Sequence, residues 1–242
     1  MGHYLGDFFQ QIFQVPSQSG LLNSLYNEWL QHQFPYYRIH SLDISQMPRV
    51  PELDREFLSA FSPKSAAELP LARRMWELTG TRWILGERRF ADFLNQVLDP
   101  QQKRFRVHLD FNFTPKHGKP NPTSLDDIKA EIVPNGPFAI IEYTSALPRV
   151  KFYTSWQVQT NDSASLAELT SDAFNPQEQI LVNMLVPSGG TNNPAPGRSS
   201  VRVVSYQPRE WRIEVENESA GVLLLNDKFD DDWSVRVNDR PE

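Results

Sequence analysis

From Phe105 to Phe113 the chain alternates without a break. Phe105, Val107, Leu109, Phe111 and Phe113 are apolar, while Arg106, His108, Asp110 and Asn112 between them are polar. Successive side chains of a strand point to opposite faces, so this run predicts a half-buried strand. Just upstream, Ala66 to Leu78 carries helical spacing, Gly80 is placed as its C-terminal cap, and Thr81 to Leu85 reads as a strand. A further helix is predicted over Phe90 to Leu98, stopped by Asp99-Pro100. Helix, strand and helix in so few residues predict a packed α/β layer.

The same reading extends to both ends. Helices are predicted over Leu5 to Phe13 and from about Gly20 to His32, a strand over Tyr36 to Ile44, and a helical piece over Leu53 to Phe61. Strands are predicted at Ile128 to Val133, Phe138 to Tyr143, Val150 to Val158 and Gln179 to Leu185. A short helix follows the capping residues Asn161, Asp162 and Ser163. Beyond a Pro- and Gly-rich stretch only strands are expected: Val201 to Tyr206, Trp211 to Val215, Val222 to Leu225 and Val235 to Val237. Short strands at such intervals predict a β-sandwich or jelly roll. The expected fold is therefore α+β: a mixed α/β domain over 1–186, a linker-like loop over 187–199, and a jelly-roll-like β-sandwich portion over 200–242. The turn residues Asn238-Asp239-Arg240-Pro241 promise a further strand that the chain does not supply. On this reading the sandwich is truncated at its C-terminal end.

Composition removes several functions. There is no cysteine, which rules out disulfides, thiolate nucleophiles and cysteine zinc sites. The net charge of -6 argues against a nucleic-acid partner, whose footprint would be a basic face. Phosphate-binding glycine loops and the G-x-S-x-G elbow are missing. The longest purely apolar runs are strand-sized, and the opening MGHYLGDFFQQIF lacks the pattern of a signal peptide.

Candidate site residues are few. On a regular strand His108 and Asp110 share a face and could reach one metal ion with His117, although a solvated polar face explains them as well. Asp227, Asp230, Asp231 and Asp232 form an acidic loop, and Asp230, Asp231 and Asp232 could offer oxygen ligands to Ca²⁺ without the EF-hand spacing. Asp43 with Glu52, or Glu142 with Glu168, would serve as glycosidase acids only at a separation that sequence does not reveal. Among the six tryptophans, Trp29, Trp76 and Trp83 fall at core positions. Trp156, Trp211 and Trp233 remain as candidate sugar-stacking platforms, with Trp233 favoured for its loop position.

Three stretches carry a resemblance: Leu78-Thr79-Gly80-Thr81-Arg82-Trp83-Ile84-Leu85, then Ala146-Leu147-Pro148-Arg149, then Gly221 to Leu225 followed by Trp233. Together they resemble the YfhO-like family of bacterial polytopic membrane proteins. Asp231-Asp232 stands where members carry Pro-Gly, and Asn238-Asp239 where they carry Asp-Gly. The resemblance implies an extracytoplasmic, membrane-attached region of a protein similar to glycosyltransferases that act on lipid-linked sugars. Its implied partners are the rest of the parent membrane protein and a glycan or lipid-linked sugar. Neither catalytic residues nor a cofactor are implied for this stretch, and the oligomeric state is not legible. The alternatives from other classes are a self-contained carbohydrate-active hydrolase and a pure protein-interaction module.

Overall fold

A computed structural model describes residues 39–40, 42, 51–118, 127–184, 199–207, 209–227 and 231–241. The helices expected over 5–13 and 20–32, and nearly all of the strand expected over 36–44, lie outside them. Contacts group the chain into two units: Met1–Ala146 with Asp162–Phe174, and Leu147–Asn161 with Asn175–Glu242. Most of the stretch 187–199 is outside the described residues, and the chain on both sides of it belongs to the second unit. Both helices and antiparallel sheets are present, so the chain is α+β.

In the first unit, α1 (Glu52–Ala60) starts directly after Pro51, and Glu52 and Asp54 in its first turn complement the positive end of the helix dipole. Helix α2 (Pro70–Leu78) follows a single 3₁₀ turn at Ala66–Glu68, with proline at a position where no backbone donor is needed. Its end is a Schellman motif. Gly80 takes φ 66°, the Thr81 amide donates to the Trp76 carbonyl at 2.9 Å, and the Gly80 amide donates to Glu77 at 3.3 Å. Strand β1 (Trp83–Glu87) and α3 (Phe90–Val97) follow as the spacing predicts. Strands β2 (Phe105–Pro115), β3 (Ile128–Ile132) and β4 (Phe138–Tyr143) complete an antiparallel sheet in the order β1-β4-β2-β3.

One face of this sheet carries the core. Ile84, Phe105, Ala139, Ile141 and Tyr143 pack with Met75 and Trp76 of α2, with Phe90, Ala91 and Leu94 of α3, and with Phe61 and Leu98. Leu94, Ile141 and Tyr143 are fully buried. Truncating a side chain such as Leu94 to alanine would cost about 2–5 kcal/mol. Helix α4 (Asp162–Thr170) adds Leu169 to the same core.

The alternating run departs from its sequence reading. Val107 stands opposite Ile141 and Leu109 opposite the adjacent Ile140, so His108 is an extra, bulged residue. A one-residue insertion reverses every side chain that follows it. Phe105 and Val107 therefore share the core face with Tyr143 and Ile141, whereas Leu109 and Phe111 lie with Ile140 and Phe138 on the opposite face. There Phe111, Phe113 and Phe138 form a ring cluster with centroids 5.2–5.7 Å apart. The strand is apolar on both faces, one before the bulge and the other after it.

The second unit is built of two-stranded ribbons among the described residues. The single strand expected over 150–158 is two: β5 (Val150–Tyr153) and β6 (Trp156–Val158). Strand β6 pairs in parallel with β7 (Ile180–Val182), the chain between them supplying α4 to the first unit. Strands β8 (Ser199–Gln207) and β9 (Glu210–Asn217) form an antiparallel hairpin, and β10 (Val222–Leu225) pairs with β5. Gly221 leads into that pairing where backbones nearly touch. A Cβ there would collide with the Tyr153 carbonyl oxygen and the Phe152 ring. The turn at Asn238-Asp239 does receive its return strand, contrary to the sequence reading. Both residues take positive φ, 50° and 63°, as a two-residue type I′ turn requires, and β11 (Arg236–Val237) pairs with β12 (Arg240–Pro241).

Candidate functional site

Two side-chain clusters stand out, one in each unit. In the first, Asp99 lies at the end of α3 with its side chain 4% exposed. It accepts from Arg104 Nε and Nη2 at 2.9 Å each and from the Arg104 amide at 2.8 Å, with Arg73 at 3.6 Å. Burial pushes its carboxyl above the usual carboxylate range, against the pull of the Arg73 guanidinium. Arg74 bonds Glu77 at 3.2 Å and the carbonyls of Ser171 and Phe174 at 3.1 and 2.9 Å. Tyr143 sits near these charges, and burial first, then the Glu77 charge, pushes its phenol well above the ordinary tyrosine value. The charges answer one another inside a packed core. The cluster is a brace that ties α2, α3 and the chain after α4 together.

The second cluster is more accessible. The register of β5 with β10 places Val150 opposite Leu225, which brings the flanking Arg149 and Asp227 side by side. Arg149 Nη2 donates to Asp227 Oδ2 at 2.6 Å, and the Asn226 amide donates to the Arg149 carbonyl at 2.8 Å. Both charged side chains remain about one-third exposed. On β9, Trp211, Ile213 and Val215 are half-buried and alternate with exposed Glu210, Arg212, Glu214 and Glu216. Trp211 stands opposite Tyr206 of β8, ring centroids 4.3 Å apart, and the Arg149 guanidinium lies 5.4 Å from the Trp211 ring centre. An indole, a phenol, a guanidinium and a carboxylate are thus gathered at one place. These are the groups that bind a sugar ring: an aromatic surface for its C–H face, with donors and acceptors for its hydroxyls.

The residues singled out in the sequence are distributed as follows. Trp211 belongs to this cluster. Trp156 is half-buried in β6 and Trp233 is 41% exposed between β10 and β11, and among the described residues neither makes a ring contact. Asp231 and Asp232 are exposed and Asp230 lies outside the described residues. Asp227 of the same acidic loop is held by Arg149. Among the described residues no three acidic or histidine side chains converge as a metal group. His108 and Asp110 do not share a face, because the bulge intervenes. His108 stacks near Trp83 at 4.7 Å, while Asp110 is opposite Ala139 on the core face, with Arg88 Nε 3.1 Å from its Oδ1. Of the proposed acid pairs, Asp43 is outside the described residues, Glu52 pairs with Arg55 at 3.7 Å, and Glu142 is bound by Arg82 at 2.5 Å.

Sequence reasoning passed over Tyr206 and treated Arg149 only as part of a structural motif. The signal that joins Arg149, Asp227 and Trp211 is strand register, which no local pattern carries. No known protein family, curated protein or solved structure matches the chain significantly.

Proposed function

We infer that this chain is an extracytoplasmic region of a YfhO-like membrane protein, and that its second unit recognises a glycan or lipid-linked sugar without acting on it chemically. The observation that carries the reading is the gathering of Trp211, Tyr206, Arg149 and Asp227, partly open to solvent and mixing a stacking surface with polar groups. The motif residues of the resemblance support it. Arg149 of Ala146-Leu147-Pro148-Arg149 and the strand after Gly221 meet at this cluster. Asp227 is neutralised by Arg149, so the cluster lacks the pair of free carboxyl groups that glycoside hydrolysis uses. No helix among the described residues is long and apolar enough to cross a membrane, and the parent protein's membrane part would supply any transfer chemistry.

The test is a titration of the protein with neutral and acidic oligosaccharides, followed by ligand-observed NMR. Saturable binding is expected, with Trp211→Ala weakening it at least tenfold, as loss of a stacking partner worth about 1.4 kcal/mol or more would do. Trp156→Ala should leave binding within about twofold. Binding that survives Trp211→Ala unchanged, or hydrolysis of the sugars by the purified protein, would overturn the reading.

A further inference from the structure

The face of the four-stranded sheet opposite the core is apolar and uncovered. Trp83 and Leu85 of β1 are 47% and 51% exposed there, and Ile132 of β3 is 72% exposed. Strand register places Leu85 opposite Ile140 and Ile132 opposite Phe111, so all four belong to one surface. The His108 bulge creates this surface by turning Leu109, Phe111 and Phe113 away from the helices. A sheet with apolar side chains on both faces needs a layer on each.

We propose that residues 20–32 of this same chain form the second layer, docking as an amphipathic helix across the open face. In that segment Leu21, Leu22, Leu25, Tyr26, Trp29 and Leu30 recur at helical spacing, and Asn23, Ser24, Asn27 and Glu28 fall on the other side. The dimensions agree. A helix over 20–32 is about 20 Å long, and four strands spaced about 4.8 Å apart present a face about 19 Å wide. Residues 33–50, which join the segment to α1, reach about 60 Å when extended, more than enough to cross the unit.

A second copy of the chain is the weaker occupant on area. Strands of five or six residues give a face about 17 Å long, hence roughly 320 Å². A stable association buries about 800 Å² on each partner. A tethered segment needs far less surface, because its effective concentration is in the millimolar range. The shorter segment 5–13 is separated from α1 by about twice as much chain and forms a helix only about 14 Å long.

The chain has no cysteine, so a single nitroxide can be placed at Ile132→Cys, a position exposed enough to accept it, with Leu85→Cys as a second site. The expected result is loss of the amide NMR signals of residues 20–32 in the labelled chain, unchanged on dilution with excess unlabelled chain. Trp29→Asp should restore those signals, and Trp29→Phe should not. Signals of 20–32 that persist with both labels overturn the proposal. Loss of signals in an isotope-enriched, unlabelled chain mixed with the nitroxide-bearing one would assign the face to a second copy and overturn it equally.

Discussion

Tyr143 is fully buried, and its hydroxyl has no hydrogen-bond partner among the described residues. Its raised pKa has a definite sign in stability. Below about pH 10 the phenol is neutral in folded and unfolded chain alike, and its contribution is complete. Above that value the unfolded chain ionises first, and stability falls by about 1.4 kcal/mol per pH unit from this group until the folded value is reached. Tyr143→Phe should therefore cost under about 1 kcal/mol at pH 8, since no bond is lost. Between pH 8 and 11 the wild type should lose about 1 kcal/mol more than the variant, measured from urea midpoints. Equal losses would show that the phenol is not buried as described. Neither this tyrosine's lack of a partner nor the convergence of Arg73 and Arg104 on Asp99 is legible in sequence. Arg73 and Arg104 lie on separate elements, and only the packed core shows which carboxylate they share.

At the scale of elements, the decisive feature is one inserted residue. His108→Ala keeps the bulge and removes only a ring contact with Trp83, so it should cost less than about 1 kcal/mol. Deleting His108 should cost several kcal/mol or prevent folding. It would turn Leu109, Phe111 and Phe113 to the core face, where Asp110 and Asn112 now stand. Chemical denaturation of the two variants distinguishes a true bulge from a tolerant strand; similar midpoints would refute it. Helix ends were legible because their causes are local: Pro51, Pro70, the glycine at 80 and Asp99-Pro100 act on their immediate neighbours. The bulge was not, because Phe105 to Phe113 alternate in sequence just as a regular strand does. Only pairing with Ile140 and Ile141 reveals the slip. The sugar-binding cluster was hidden for the same reason, with Arg149 and Asp227 separated by 78 positions and joined by register.

For the whole molecule, the path of the chain matters more than any one contact. The first unit borrows α4 from beyond residue 161, and Leu169 packs on its core. A fragment ending at residue 146 should accordingly be less stable than one ending at 174, by about 2–4 kcal/mol for the lost leucine and the Arg74 bonds to Ser171 and Phe174. Equal thermal midpoints by circular dichroism would show that α4 adds nothing to that core. The chain passes from one unit to the other at 146/147, again at 161/162 and again at 174/175. A protease that severs the first of these crossings does not part the molecule. The C-terminal product still carries a helix of the first unit in its native seat, so the two pieces stay associated until that unit unfolds. On a cell exterior such lacing would let a nicked protein go on functioning, its damage visible on a denaturing gel and silent in a native one.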